Sequence, residues 1–213
     1  MTYLFDLGTH SRPITTSRPD AQLWFDRGLA WIYGFNHEEA ANCFQEVARV
    51  DPSCAMAYWG IALASGPFYN LPWEWLSDDE AEKAVLTCYG AVQQALGRSD
   101  GAVPVEKALI QALSRRYPSE KVVSIEEFHL WDDTYADAMR AVHAAFPDDL
   151  DVIFLFAEAM MMGELEYRKG NYDAAFDCLE KAVFLDDSLY YSEPWAWMHP
   201  PRHALGALLL EQG

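Results

Sequence analysis

AQLWFDRGLAWIYGFNHEEAANCFQEVARVDPSCAMAYW, Ala21 to Trp59, repeats apolar residues at helical spacing and breaks at Asn36 and His37 and again at Pro52. Trp24, Gly28 and Trp31 share one face of a first helix. Ala40, Phe44 and Val47 line a second, Pro52 closes the unit, and Ala55 opens another. Gly28 and Ala40 are small where two helices must touch, and the aromatics fill the space between hairpins. Asn36 can cap the second helix while Glu39 reaches back as a capping box, and Glu38 and Glu39 suit the positive helix end. A lone hairpin cannot bury its apolar face, so the rest of the chain is expected to supply more hairpins.

The remaining sequence divides on that expectation. Residues 1–20, with Gly8, Pro13 and Pro19, read as an arm that Tyr3, Leu4 and Phe5 fold back, and 21–213 as one helical domain. A second hairpin opens over Ala55 to Ser65, followed by GPFYNLPWEWL, Gly66 to Leu76, longer and more aromatic than a repeat turn needs. Ser77 with Glu80 spells a cap before a long helix to Leu96. Pro104 suits the first turn of a helix to Tyr117. Lys121 to Ile125 is a linker. Helices follow over Glu126 to Phe146 and Asp149 to Lys169. Gly170, Tyr172, Ala175, Leu179 and Ala182 return to the register of the first hairpin, and Pro200 to Gly213 begins a helix without a partner. Two registers meet in one helix, with a seam near residues 160–163.

The order large aromatic, small residue, aromatic, then Ala, aromatic and Pro over about 34 residues resembles the tetratricopeptide repeat. The strings WIYGFNHEEAANCFQEVARVDPSCAMAYWGIA and EPWAWMHPPRHALGALLLEQG resemble a bacterial and fungal group of such proteins that carry a GFNHEEA segment near the start. The resemblance implies an all-α, right-handed stack of antiparallel helical hairpins. Members of the group are longer, which implies that the middle of the family's chain is missing here and that the seam is its scar. It implies no particular activity.

Composition limits the partners. Acidic residues number 33 against 15 basic, a formal charge of -18, which disfavours nucleic acid and anionic membrane. Apolar residues make up 51% of the chain, so it can bury a core. Cys43, Cys54, Cys88 and Cys178 lack metal-site spacing and read as reduced core thiols. The first residues lack the features of a secretory signal and no apolar run reaches membrane-spanning length, so a cytoplasmic address is expected.

Three sets of residues are candidates for chemistry or binding. His37, at the hairpin turn, is either a packed structural ring or a metal ligand or acid–base group. His199 and His203 stand four apart, a spacing that can chelate a transition metal, although Pro200 and Pro201 disturb the helix start. In tetratricopeptide stacks the first helix of each hairpin lines a concave groove. By analogy the groove residues are Phe25, Leu29, Tyr33, Trp59, Leu63, Glu164, Tyr167, Arg168 and His203, whereas a metal reading has His37, His199 and His203 converge in a pocket walled by Trp59, Tyr69, Trp73 and Trp75. The alternative is that Tyr33 and Trp59 pack against the Gly66–Leu76 insertion and close the groove. No nucleophile elbow, phosphate loop or HExxH motif is present.

Two functions follow as expectations. The first is a helical-repeat module that binds a protein segment or small molecule in its concave face. The second is a metal-dependent enzyme or ligand-binding protein built on His37, His199 and His203. No cofactor is called for beyond that transition metal. Leu205, Leu208, Leu209 and Leu210 cover more than one face of the last helix, which predicts a homodimer through it.

Overall fold

The computed structural model describes residues 3–68, 70–163 and 209–210. The fold is all-α: α1 (Pro19–Tyr33), α2 (His37–Val50), α3 (Ala55–Ser65), α4 (Asp78–Leu96), α5 (Pro104–Arg116), α6 (Ile125–Ala145) and α7 (Leu150–Gly163). No strand occurs among the described residues. Phe68 and Leu71 form an isolated bridge, and Trp73–Trp75 a 3-10 turn. None of these helices is long and apolar enough to cross a membrane. Each helix packs on the next, and the odd helices also meet, α1 with α3 and α3 with α5.

Local chemistry sets the helix ends. Pro19 starts α1 in its first turn, where a missing N–H costs nothing, two residues before the apolar period begins. The exit is a Schellman turn: the amide of Phe35 donates to the Ile32 carbonyl (3.0 Å) and that of Asn36 to the Trp31 carbonyl (2.9 Å). Phe35 holds the left-handed position of that turn, φ 58°, which usually falls to glycine. The Asn36 side chain then accepts from the Glu39 amide at 3.1 Å and caps α2. Glu39 departs from the expected capping box, because its carboxylate accepts from Tyr3 and Asn42 instead. Ser77 and Glu80 do form the reciprocal box expected at the head of α4. Pro104 opens α5 as expected, whereas α6 begins one residue inside the expected linker, at Ile125, because Ser124 caps it by accepting from the Glu127 amide.

The core is centred on Phe44 of α2, which has no exposed surface. A Cβ built on Gly28 of α1 would lie 2.7 Å from its ring, and one built on Gly60 of α3 would lie closer still. Two glycines from neighbouring helices therefore admit one phenyl ring between three backbones. Phe25 packs on that ring at 5.4 Å between centroids, and Trp59 on Phe25 at 6.3 Å. We expect Gly28→Leu to lower stability by ~1 to 3 kcal/mol through overpacking, read as a fall in the chemical denaturation midpoint. An unchanged midpoint would place Gly28 outside the contact.

One expectation about exposure is corrected. Phe25, Leu29, Trp59 and Leu63 lie in the core rather than along an open groove, because α1 turns its Ala21–Phe25–Leu29–Ile32 stripe inward. Trp24 and Trp31 face the other way and are only half-buried. The arm covers them. Trp31 Nε1 donates to the Tyr3 hydroxyl at 2.7 Å, Tyr3 and Phe5 meet Trp24 and Trp31 edge to face, and Arg27 lies over the Tyr3 and Trp24 rings. Leu4, expected to help, is 91% exposed. Cys43, Cys54 and Cys88 are free and buried, as core thiols should be. The seam near 160–163 falls at the end of α7. Cys178 lies outside the described residues, as does the C-terminal helix apart from Leu209 and Leu210, which are helical and exposed.

Candidate functional site

Beyond Tyr3 and Phe5 the arm turns around the end of α1 and runs back along it. His10 meets the Tyr33 ring at 5.8 Å, Arg12 meets Asp26, and Ile14 meets Gln22. The segment from His10 to Ile14 thus runs antiparallel to α1, from beside Tyr33 to beside Gln22. Side chains of the odd helices hold its backbone. Asp26 accepts from the Arg12 amide (3.1 Å), Gln22 accepts from the Ile14 amide (2.9 Å) and donates to the Arg12 carbonyl (2.7 Å), and Glu106 of α5 accepts from the Thr15 amide (2.6 Å). Pro13 has no amide to satisfy.

The side chains of the segment are also read. Arg12 is 5% exposed, and its Nη1 donates both to Asp149 (2.7 Å) and to Asp151 of α7 (3.0 Å). Burial works against the guanidinium charge, but the two carboxylates more than offset it and hold the arginine pKa above its ordinary value. Burial likewise opposes the Asp149 carboxylate, which Arg12 and the amides of Val152 and Asp151 nevertheless keep below the usual range. Asp151 also accepts from the Tyr33 hydroxyl and pairs with His10 Nε2 at 2.9 Å. Thr16 donates to Asp51 at the end of α2 (2.6 Å), and Ser11 to Asp26 (2.7 Å). A cavity of about 630 Å³ opens beside this segment, lined by Pro13 to Ser17, Asp51, Arg98 and Glu106. The face is therefore acidic, reads backbone at three amides, and carries one buried seat for a cation.

A second polar cluster lies under the Gly66–Leu76 insertion. Arg116, at the end of α5 and 2% exposed, donates from Nε to Asp132 of α6 (2.7 Å) and from Nη2 to the Pro67 carbonyl (2.9 Å). Trp73 Nε1 donates to the other Asp132 oxygen (3.1 Å), and its ring stacks on Phe128 at 3.9 Å. Gly66 is required here, since any Cβ would strike the hydroxyl of the buried Tyr117. Glu158 of α7 is buried near Arg116, and its carboxyl is pushed up to about 7, chiefly by burial.

The sequence candidates scatter over these surroundings. Tyr33 helps to seat the arm and touches Phe154 of α7. Trp59 is core, Trp73 is buried beneath the insertion, and Trp75 is 70% exposed. His37 is 7% exposed and stacked on Phe68 at 3.7 Å, a packed ring whose pKa is pushed down to about 4 by burial. Tyr69, Glu164, Tyr167, Arg168, His199 and His203 lie outside the described residues. Among the described residues no group of three or more His, Cys, Asp and Glu side chains is placed to hold a metal.

The residues that sequence reasoning missed are the charged ones. Glu106, Arg116, Asp132 and Glu158 each fall in the phase of an apolar stripe, as Arg116 does after Leu109 and Leu113. A charge in that phase was the available signal. Comparison of the chain with protein-family models, curated proteins and solved structures finds no match in any of the three.

Proposed function

We propose that this chain is a binding module of tetratricopeptide type, a right-handed stack of antiparallel hairpins whose odd helices hold an extended protein segment. The observation that carries the reading is the arm itself. Side chains of α1 and α5 bond its backbone at Arg12, Ile14 and Thr15, and α7 seats its arginine, which is the way a helical face grips a peptide in extended form. Contacts between successive helices and between odd helices support the stacked architecture.

Panning a displayed library of extended peptides on the intact protein tests this reading. Enriched peptides should be basic, because the face presents Asp26, Asp51, Glu106, Asp149 and Asp151 in a chain of charge -18. Their affinity should fall roughly tenfold or more between ~0.05 and ~0.5 M salt as these charges are screened. Failure to enrich any peptide, or binding unchanged by Asp26→Lys and Glu106→Lys together, would end the reading.

A further inference from the structure

We infer that residues 10–16 occupy the binding face from within, and that a partner binds by replacing them with an extended segment of its own carrying an arginine between Asp149 and Asp151. The inference rests on the reading of this face as a peptide-binding surface. It goes further in naming the partner's chemistry and the competitor.

The partner's chemistry follows from what the face bonds. Asp26, Gln22 and Glu106 take backbone groups, which any extended chain offers, so they set conformation and not sequence. Discrimination falls to the Arg12 seat. Two carboxylates converge there on one nitrogen, and Asp151 is itself positioned by Tyr33 of α1, which remains when the arm leaves. Both bonds come from one nitrogen, so preference for arginine over lysine rests on burial: the guanidinium is more weakly hydrated than an ammonium and always charged, which makes it the better cation to seat out of water. The Asp51 carboxylate four positions further along the arm takes a hydroxyl, so serine or threonine suits that place.

That the arm can be replaced follows from how imperfectly it fits. Arg12 spends the same Nη1 on both carboxylates, while its Nε–H is buried and has no partner. An unpaired buried donor is costly, and the arm cannot easily shift to pair it, because Pro19 starts α1 only a few residues on. A free segment has no such tether and can present its guanidinium as a fork. The tether gives the arm the advantage of high effective concentration, so a partner meets a face that is mostly closed. Its apparent affinity is reduced by the fraction of molecules in which the arm is away.

Arg12→Glu places a third carboxylate in the seat and should release the arm. The probe is a fluorescent peptide reproducing residues 8–18 of the chain, read by anisotropy against the intact protein and against the variant. Arg12→Glu should bind it at least tenfold more tightly than the unaltered protein, and the same peptide with alanine in place of its arginine should lose at least tenfold. In the unaltered protein, saturating peptide should speed hydrogen exchange at the Arg12, Ile14 and Thr15 amides. If Arg12→Glu does not fold, the exchange measurement decides alone. Equal affinity of a folded Arg12→Glu and the unaltered protein, or arm amides that stay protected while peptide is bound, overturns the replacement. Library peptides that bind both forms equally leave the peptide-binding reading standing. Failure of every peptide with either form ends both.

Discussion

Asp132→Ala should cost about 3 to 5 kcal/mol of folding stability, the range for stripping one partner from a buried ion pair. The substitution leaves the Arg116 guanidinium in the interior without its carboxylate, and it removes the acceptor of the Trp73 indole N–H. The damage should spread to the insertion, because Arg116 also holds the Pro67 carbonyl and Trp73 is the insertion's buried anchor. Urea denaturation measures the loss. Replacing both partners by apolar residues, Arg116→Met with Asp132→Leu, should recover part of it, since the guanidinium no longer sits beside an emptied site, while the Trp73 N–H and the Pro67 carbonyl stay unpaired. A loss below ~1 kcal/mol for Asp132→Ala would mean that water reaches the guanidinium and the pair is not sealed.

The second large effect is on pH dependence, where His37 and Glu158 act with opposite sign. Burial pushes the His37 pKa down to about 4 from 6.5, with the Phe35 carbonyl opposing and Arg116 reinforcing. The unfolded chain therefore takes up a proton below pH 6.5 that the native state refuses, and stability is lost as pH falls toward 4. Burial pushes Glu158 up to about 7 from 4.5, with Arg116 opposing. The native state keeps a proton that the unfolded chain releases, so stability is lost as pH rises from 4.5 to 7. Each shift corresponds to roughly 3 kcal/mol. Between those limits the two slopes cancel, and single variants should uncover them. Glu158→Gln should gain relative to the parent by that amount more at pH 8 than at pH 4.5. His37→Phe, which preserves a ring against Phe68, should gain more at pH 4 than at pH 7.5. Parallel pH profiles for all three proteins would show that neither group is as buried as its packing indicates.

What the sequence made legible was local. Asn36 and Ser77 cap where they stand because a cap needs only its own next three residues, and Gly28 declared its contact because a glycine amid aromatics has few other uses. The aromatic run from Gly66 to Leu76 stood out as an insertion for the same reason. Arg12 with Asp149 and Asp151 was not legible, because that pairing joins positions 137 and 139 apart and depends on how seven helices stack. Phe25 and Leu29 were assigned to the groove through phase: the repeat pattern locates the helices, but Tyr3 and Phe5 of the arm mark the side of α1 that chain covers, and the Phe25–Leu29 side meets other helices. His37 looked chemical in the sequence because histidine has several uses, and only its stacking on Phe68, 31 positions away, gives it a packing role.

The arm has a consequence for how the protein comes apart. In a row of helices that touch only near neighbours, fraying starts at an end and proceeds inward at little cost. Here residues 12–16 are bonded to the α7 end, α5 and the end of α2 at once, so the described helices are tied across the row as well as along it. Opening α7 breaks Arg12 and Tyr33 contacts at α1, and opening α1 removes the support of the arm. The described helices are thereby joined into one unit that should melt in a single transition, and any segment taking the arm's place must carry the same ties between α7, α5 and the end of α2 to keep it so.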